Sequence, residues 1–194
     1  MRYKIITLLI FIPFFAISQQ KNIIGFYGGY EYREAHGNYL GGFDRVKQGF
    51  NIGSNYEKFL KNNWWLGGGL EYSCVFQKTY IKHSINNGKI YFKATKYFGN
   101  RFFQLVSFGQ GHEITVWVSK DFVTKGYSKS YEIFCFPLFV ELGCGYWLKE
   151  NLGIFATAKC SYDILNFLNI THLYTNYVLN FNVGVKYKFG KILL

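Results

Sequence analysis

The feature that most constrains the fold of this chain is a period-two alternation of large apolar residues with small or polar ones. From 177 to 189, every odd position carries a large apolar or aromatic residue, and the even positions from 180 onward carry Asn, Gly or Lys. Successive side chains of a β-strand point to opposite faces of the sheet, so this pattern predicts strands with one apolar face. Similar alternation makes six strands readable, the other five starting near Ile24, Gly49, Leu66, Phe136 and Leu152.

The middle of the chain, residues 78–131, alternates less clearly. We place two strands there, at 101–108 and 113–123, joined by the glycine-containing turn 109–111. The total is then eight strands, or ten if residues 89–98 also enter the sheet. Short polar turns at 61–63 and 149–151 alternate with longer connections, among them 78–100. The predicted fold class is therefore all-β: an antiparallel up-and-down transmembrane β-barrel, for which eight strands is the smallest common number.

The two faces of these strands distinguish a membrane barrel from a soluble, lipocalin-like ligand-binding barrel. The face opposite the large apolar residues consists mostly of Gly, Ser and Asn with one or two charges per strand. Only 17% of all residues are charged, against about 25% in an ordinary soluble domain. Such a face is too small for a solvated surface but suits the crowded interior of a narrow barrel, so the apolar face is predicted to contact lipid.

The first residues have the pattern of an export signal. A short basic segment ends at Lys4, residues 5–15 are apolar apart from Thr7 and Pro13, and Ala16 and Ser18 provide small residues for cleavage. The apolar run is shorter than the roughly 20 residues of a spanning helix. We therefore expect a signal peptide at 1–18 and a barrel domain at 19–194. Although the net charge is +11, export argues against a nucleic-acid partner.

The last predicted strand carries the most specific motif. Asn182, Gly184, Tyr187 and Phe189 follow the order polar-x-Gly-x-x-aromatic-x-aromatic, with five residues after Phe189. With the signal peptide and the alternating strands, this resembles the small, about eight-stranded outer-membrane β-barrel domain family of Gram-negative bacteria. The resemblance implies that these four residues are an assembly signal read by the barrel-assembly machinery. It also implies the cell outer membrane as location, and outer-membrane lipid and lipopolysaccharide as neighbours.

The resemblance leaves the role open, because one fold hosts many functions. We expect a non-enzymatic protein with a structural, adhesive or surface-binding role through long outside loops and an unknown surface ligand. The alternatives are a lipid-modifying outer-membrane hydrolase, a small porin-like solute pore or a soluble lipocalin-like barrel.

Candidate chemistry is sparse. The four histidines do not have the spacing of metal ligands. His83 and Ser84 are adjacent, so on a strand they would point to opposite faces and could not act together as base and nucleophile. No catalytic, metal or cofactor residue is therefore assigned. The four cysteines allow a disulfide, but free thiols acting as small apolar residues are favoured.

The clearest constellation is a set of charged residues on the predicted inner faces. Buried charges require partners, so we expect them to form a salt-bridged plug, with a gated ion path as the functional alternative. This predicted lumen network comprises Glu31, Arg33, Glu57, Glu71, Glu141, Lys159, Asp163, Lys186 and Lys188.

A second charged group lies in the unclear middle segment, where residues 78–111 contain no Asp or Glu. As an outside loop with a flanking strand, it would present a basic patch to lipopolysaccharide phosphates. A generally Lys-rich composition explains the same residues without a function. The patch comprises Lys78, Lys82, Lys89, Lys93, Lys96 and Arg101.

Overall fold

The computed structural model describes residues 21–34, 46–77, 83–118, 134–163 and 177–190. They form one antiparallel sheet. Its strands are β1 Asn22–Glu34, β2 Val46–Phe59, β3 Trp64–Gln77, β4 His83–Phe98, β5 Phe102–Val118, β6 Phe134–Cys135, β7 Pro137–Trp147, β8 Leu152–Asp163 and β9 Tyr177–Phe189. Within the described residues, no helix is long and apolar enough to cross a membrane. The predicted signal peptide at 1–18 lies outside them.

The sheet closes on itself. Consecutive strands pair from β1 to β5, then β5 pairs with β7, and the series continues through β8 and β9 back to β1. The two-residue β6 also pairs with β5 and is separated from β7 only by Phe136, so the two share one position in the ring. The result is a closed antiparallel barrel with eight strand positions and no unpaired edge. This confirms the predicted fold class and strand number.

The sequence-based placement of strands in the middle of the chain was wrong, although the total of eight was right. Residues 89–98 belong to β4, and β5 runs without interruption through 109–111. The chain reverses instead at Gly99, whose φ of 86° is a left-handed conformation that glycine adopts without strain. Gly109 is needed for close approach: a Cβ atom there would lie 2.6 Å from the Phe139 ring and would also clash with the Phe92 carbonyl oxygen.

Gly109→Leu therefore tests the corrected strand. We expect it to lower the free energy of unfolding by about 1–3 kcal/mol, because the added side chain overpacks a site bounded by backbone. Gly88→Ala on β4 is the control, since its Cβ would lie 3.4 Å from the Val116 side chain, which is ordinary contact. Urea titration of the folded protein in lipid vesicles measures both variants. Equal stability of Gly109→Leu and the parent would contradict the continuous β5.

The two ends of the barrel have connections of different length. Residues 60–63, 99–101 and 148–151 form three short turns at one end, where the first residue of β1, Asn22, also pairs with the last residue of β9, Phe189. The connections at the other end, 35–45, 78–82, 119–133 and 164–176, lie outside the described residues. The predicted long connection 78–100 was wrong, because only 78–82 separate β3 from β4.

Inside the short-turn end, apolar side chains form a compact cluster. Its buried members are Ile23, Trp65, Tyr97, Phe103, Leu105, Trp147 and Phe155. The Phe103 ring lies 5.7 Å from Tyr97 and 5.1 Å from Trp147. These rings fill the lumen beneath the charged residues described below. All four cysteines are free, as predicted; Cys144 and Cys160 are exposed on the outer face, whereas Cys135 is buried.

Candidate functional site

Ten charged side chains inside the barrel are each no more than 8% exposed and form ion pairs with one another, and an eleventh, Asp163, is 5% exposed and lies at one end of the lumen. The ten paired side chains are inward-facing because they occupy alternate positions of their strands, opposite the apolar residues. Five are carboxylates and five are cations: Glu31, Glu57, Glu71, Glu113 and Glu141 with Arg33, Lys89, Lys93, Lys159 and Lys186. Ion pairs link them into two chains of alternating sign.

The first chain joins six residues in the order Glu31, Arg33, Glu113, Lys89, Glu71 and Lys159. Arg33 bridges Glu31 and Glu113 and donates a third hydrogen bond to Ser73 Oγ at 3.1 Å. Lys89 Nζ lies 2.9 Å from Glu71 and 3.3 Å from Glu113. With three acids and three bases, the chain is electrically neutral.

This chain crosses the lumen twice. Arg33 on β1 reaches Glu113 on β5, and Lys159 on β8 reaches Glu71 on β3. In each pair the two strands lie on opposite sides of the eight-position ring. The Tyr27 hydroxyl also donates to Glu71 at 2.9 Å. Direct contact between opposite walls means that side chains occupy the lumen at this height.

The second chain joins Glu141, Lys93, Glu57 and Lys186 closer to the short-turn end. Lys93 Nζ lies 3.1 Å from both Glu57 and Glu141. Glu57 is fully buried and also accepts hydrogen bonds from Tyr97 at 2.8 Å and Asn55 at 2.6 Å. Two acids and two bases make this chain neutral as well, so no interior charge in either chain lacks a partner of opposite sign.

Seven of the nine residues predicted for the lumen network belong to these chains: Glu31, Arg33, Glu57, Glu71, Glu141, Lys159 and Lys186. The other two lie at the ends of the lumen. Asp163 accepts a hydrogen bond from the Phe136 backbone N–H at 3.1 Å, and Lys188 lies 3.4 Å over the Trp147 ring at the short-turn end.

Sequence reasoning missed Glu113, Lys89 and Lys93 as members of the network. Glu113 was placed at the very start of a predicted strand, 113–123, and Lys89 and Lys93 were placed in an outside loop. The alternation of Ile90 and Phe92 with these lysines was the available signal, since it is the pattern of a barrel strand.

The predicted basic loop patch is therefore wrong for four of its six residues. Lys89 and Lys93 are buried inside the barrel. Lys96, near the end of β4, and Arg101, in the following turn, lie at the short-turn end. Lys78 and Lys82 lie outside the described residues.

The outer wall carries a belt of exposed apolar side chains. Phe92 is 63% exposed, Leu70 59% and Val183 67%, although all three are in the middle parts of their strands. In the described strands, outward-facing charges occur only within three residues of a strand end; they are Glu34, Lys58 and Lys96. An uncharged apolar band around a closed sheet is the surface that a transmembrane barrel presents to hydrocarbon.

Aromatic residues with a polar atom flank this band. Trp64, Tyr146 and Tyr187 face outward near the short-turn end, and Tyr162 and Tyr177 near the other end, where their rings lie 5.1 Å apart. Such rings suit the two membrane–water interfaces. In the C-terminal motif, Tyr187 and Phe189 face outward, whereas Asn182 and Gly184 face the lumen.

Among the described residues, no cluster of His, Cys, Asp and Glu could hold a metal ion. Ser84 is the second residue of β4 and is partly exposed. A small cavity near the end with the longer connections is lined by Arg33, Glu113, Cys135 and Asp163 among others, with room for about one water molecule. This cavity is too small for an organic substrate.

Comparison with known proteins identifies the fold. No family model and no curated protein matches the sequence. Neisserial surface protein A is similar in structure, with a TM-score of 0.55 at 14% identity over 87% of this chain and 97% of that one. Ail, the attachment invasion locus protein of Yersinia pestis, is also similar, with a TM-score of 0.53 at 16% identity; the match covers 88% of this chain and 99% of Ail. Outer membrane protein AlkL, whose structure was solved in lipid bilayers, has a TM-score of 0.51 at 11% identity; the match covers 91% of this chain and 93% of AlkL.

Proposed function

We propose that this eight-stranded barrel, which has the fold of small outer-membrane barrels, is a non-enzymatic protein of the bacterial cell outer membrane. Its role is structural, adhesive or surface-binding, exercised through the longer connections at one end. The observation that carries this proposal is the inverted arrangement of polarity. Ten paired charges fill the inside, while large apolar side chains cover the outside.

The interior supports a rigid scaffold over the alternative of a solute pore. Arg33–Glu113 and Lys159–Glu71 join opposite walls, and the ring cluster around Phe103 fills the short-turn end. Transport of a solute would require these ion pairs to separate, which is costly for buried charges. Function is therefore expected at the ends of the barrel.

Orientation follows from the lengths of the connections. Barrels of this type have short periplasmic turns and longer extracellular loops. We therefore place the turns at 60–63, 99–101 and 148–151 in the periplasm, and the four longer connections outside the cell. This orientation puts Phe189 at the periplasmic end, where the proposed assembly signal would be read by the barrel-assembly machinery. Lipopolysaccharide would surround the opposite end.

Two of the similar proteins support a role in surface contact. One is named a surface protein and the other an attachment invasion locus protein. Both are less than 20% identical to this chain, so adhesion is a proposal for this protein. A lipid-modifying hydrolase is the second candidate from the sequence.

Membrane insertion is the first expected result. The exported chain should remain in the membrane pellet after an alkaline carbonate wash and should require detergent for extraction. Because no strand edge is open, the folded barrel should resist detergent and migrate differently on gels before and after boiling. Recovery of the unboiled protein in the aqueous fraction would contradict the membrane assignment and favour the soluble barrel.

A further inference from the structure

The short-turn end carries a group of cations outside the two ion-pair chains. It consists of six residues, which we call the basic rim: Lys21, Lys58, Lys61, Lys96, Arg101 and Lys149; Lys188 at the same end faces the lumen over Trp147 and is not a member. Each of the three short turns contributes one of them, and Lys21 and Lys58 lie beside the start of β1. Among the described residues at this end, Glu150 is the single carboxylate that is not in the interior network. The basic rim is thus strongly positive all around the barrel.

Two members of the basic rim are fixed at the level of the outer aromatic residues. Lys96 Nζ lies 5.1 Å from the centre of the Trp64 ring, and the Arg101 guanidinium lies 5.3 Å from that of Tyr146. Both rings face outward near the short-turn end. Aromatic residues of this kind mark the headgroup level of a bilayer, so these cations lie where lipid phosphates would be.

We propose that the basic rim binds the phosphate groups of anionic phospholipids in the leaflet that contacts the short-turn end. This inference rests on the proposed membrane function, which makes that leaflet the periplasmic one. The cations differ from those of the interior in having no carboxylate partner among the described residues, so a bound phosphate would supply the missing charge. Their distribution around the whole circumference fits a ring of lipid headgroups better than one soluble anion.

Physical chemistry gives the expected size of the effect. A Lys or Arg near an anionic bilayer surface gains roughly five-fold in association, and the ratio measured for a whole barrel is smaller because it averages over lipid positions that have no cation beside them. The gain is electrostatic and therefore falls as salt shortens the Debye length. Neutralising three cations at separate turns should lower the preference measurably, and the remaining cations of the basic rim should retain part of it.

The test uses the folded mature protein in phosphatidylcholine vesicles that contain a trace of spin-labelled phosphatidylglycerol or spin-labelled phosphatidylcholine. Electron spin resonance gives the ratio of their association with the barrel. We expect at least about a two-fold preference for phosphatidylglycerol, and Lys61→Gln with Arg101→Gln and Lys149→Gln should lower it clearly towards equal association. Glu150→Gln should raise the preference.

The controls separate this inference from the proposed function. Heat-modifiable migration in each vesicle sample shows whether the barrel has inserted, and a failure there would contradict the membrane function itself. If the barrel inserts but associates equally with both labelled lipids, the basic rim does not bind anionic lipid. Lys47→Gln, at the other end of β2, removes one charge without touching the basic rim and should leave the preference unchanged.

A soluble anion is the other source of the same phosphate chemistry. Sodium chloride should weaken the preference, and inorganic phosphate at equal ionic strength should weaken it to the same extent. A much stronger effect of inorganic phosphate would overturn the lipid assignment and indicate a site for a soluble phosphate.

Discussion

Glu71→Leu should lower the free energy of unfolding by about 3–5 kcal/mol, because it leaves Lys159 buried without a carboxylate partner. Glu71 is the one carboxylate within ion-pair distance of Lys159 among the described residues. Lys89, its other cationic partner, would keep Glu113 at 3.3 Å. The loss of stability therefore comes mainly from the unpaired, buried charge on Lys159.

A paired substitution tests this explanation. Glu71→Leu with Lys159→Met removes one acid and one base, so the chain of ion pairs stays neutral. We expect the double variant to recover much of the loss, since replacing a buried ion pair by apolar side chains is often neutral. Urea titrations of the parent, both single variants and the double variant give the coupling energy.

Thr157→Val is the matched control on β8, the strand that carries Lys159. Thr157 faces the lumen one inward position from Lys159, and its hydroxyl has no hydrogen-bond partner in the structure. Its replacement should change stability little. If Glu71→Leu proves as mild as this control, water rather than side chains must solvate Lys159, and the lumen is open.

Leu70→Arg is expected to cost about 2–4 kcal/mol of folding free energy in a bilayer, because it places a cation at the middle of the apolar belt. Leu70 faces outward on β3 and is 59% exposed, with Gly68 and Tyr72 as its outward neighbours along the strand. The measurement is the yield of heat-modifiable barrel in vesicles and its stability to urea.

Leu148→Arg is the corresponding change outside the belt. Leu148 is also a half-exposed leucine, at 48%, but it lies in the short turn after β7. An arginine there would reach water and headgroups, so the variant should fold like the parent. Equal harm from both substitutions would show that hydrocarbon does not surround the belt, and the soluble-barrel alternative would then be favoured.

Where alternation was clear, the local sequence pattern was enough to predict strand positions and the face of each residue. The six strands with clear alternation were placed within a few residues, and their inward charges, such as Glu57 and Lys186, were assigned to the correct face. A period of two fixes the face of every residue once the strand is known. The barrel class followed from the same pattern, whereas the total of eight also depended on two middle strands that were placed wrongly.

The pattern failed at the glycines of the middle segment. Gly109 and Gly111 suggested a turn, because glycine is common in hairpin loops. Only packing shows that Gly109 is small to accommodate the Phe92 carbonyl and the Phe139 ring. This error displaced a whole strand, and with it Lys89 and Lys93, from the lumen to a supposed outside loop.

By itself, the sequence determined the period, the apolar face and the excess of small residues opposite that face, and these physical constraints permit a membrane barrel. Tertiary structure decided which charges meet. Pairs such as Arg33–Glu113 and Glu71–Lys159 join residues 80 and 88 positions apart on opposite walls. Their contact depends on closure of the sheet at a narrow diameter, which strand alternation does not encode. Pairing of neighbouring strands placed Lys96 and Arg101 beside outward aromatic rings at the short-turn end. The direction of each strand, rather than residue type, determines the end of the barrel at which the following turn lies.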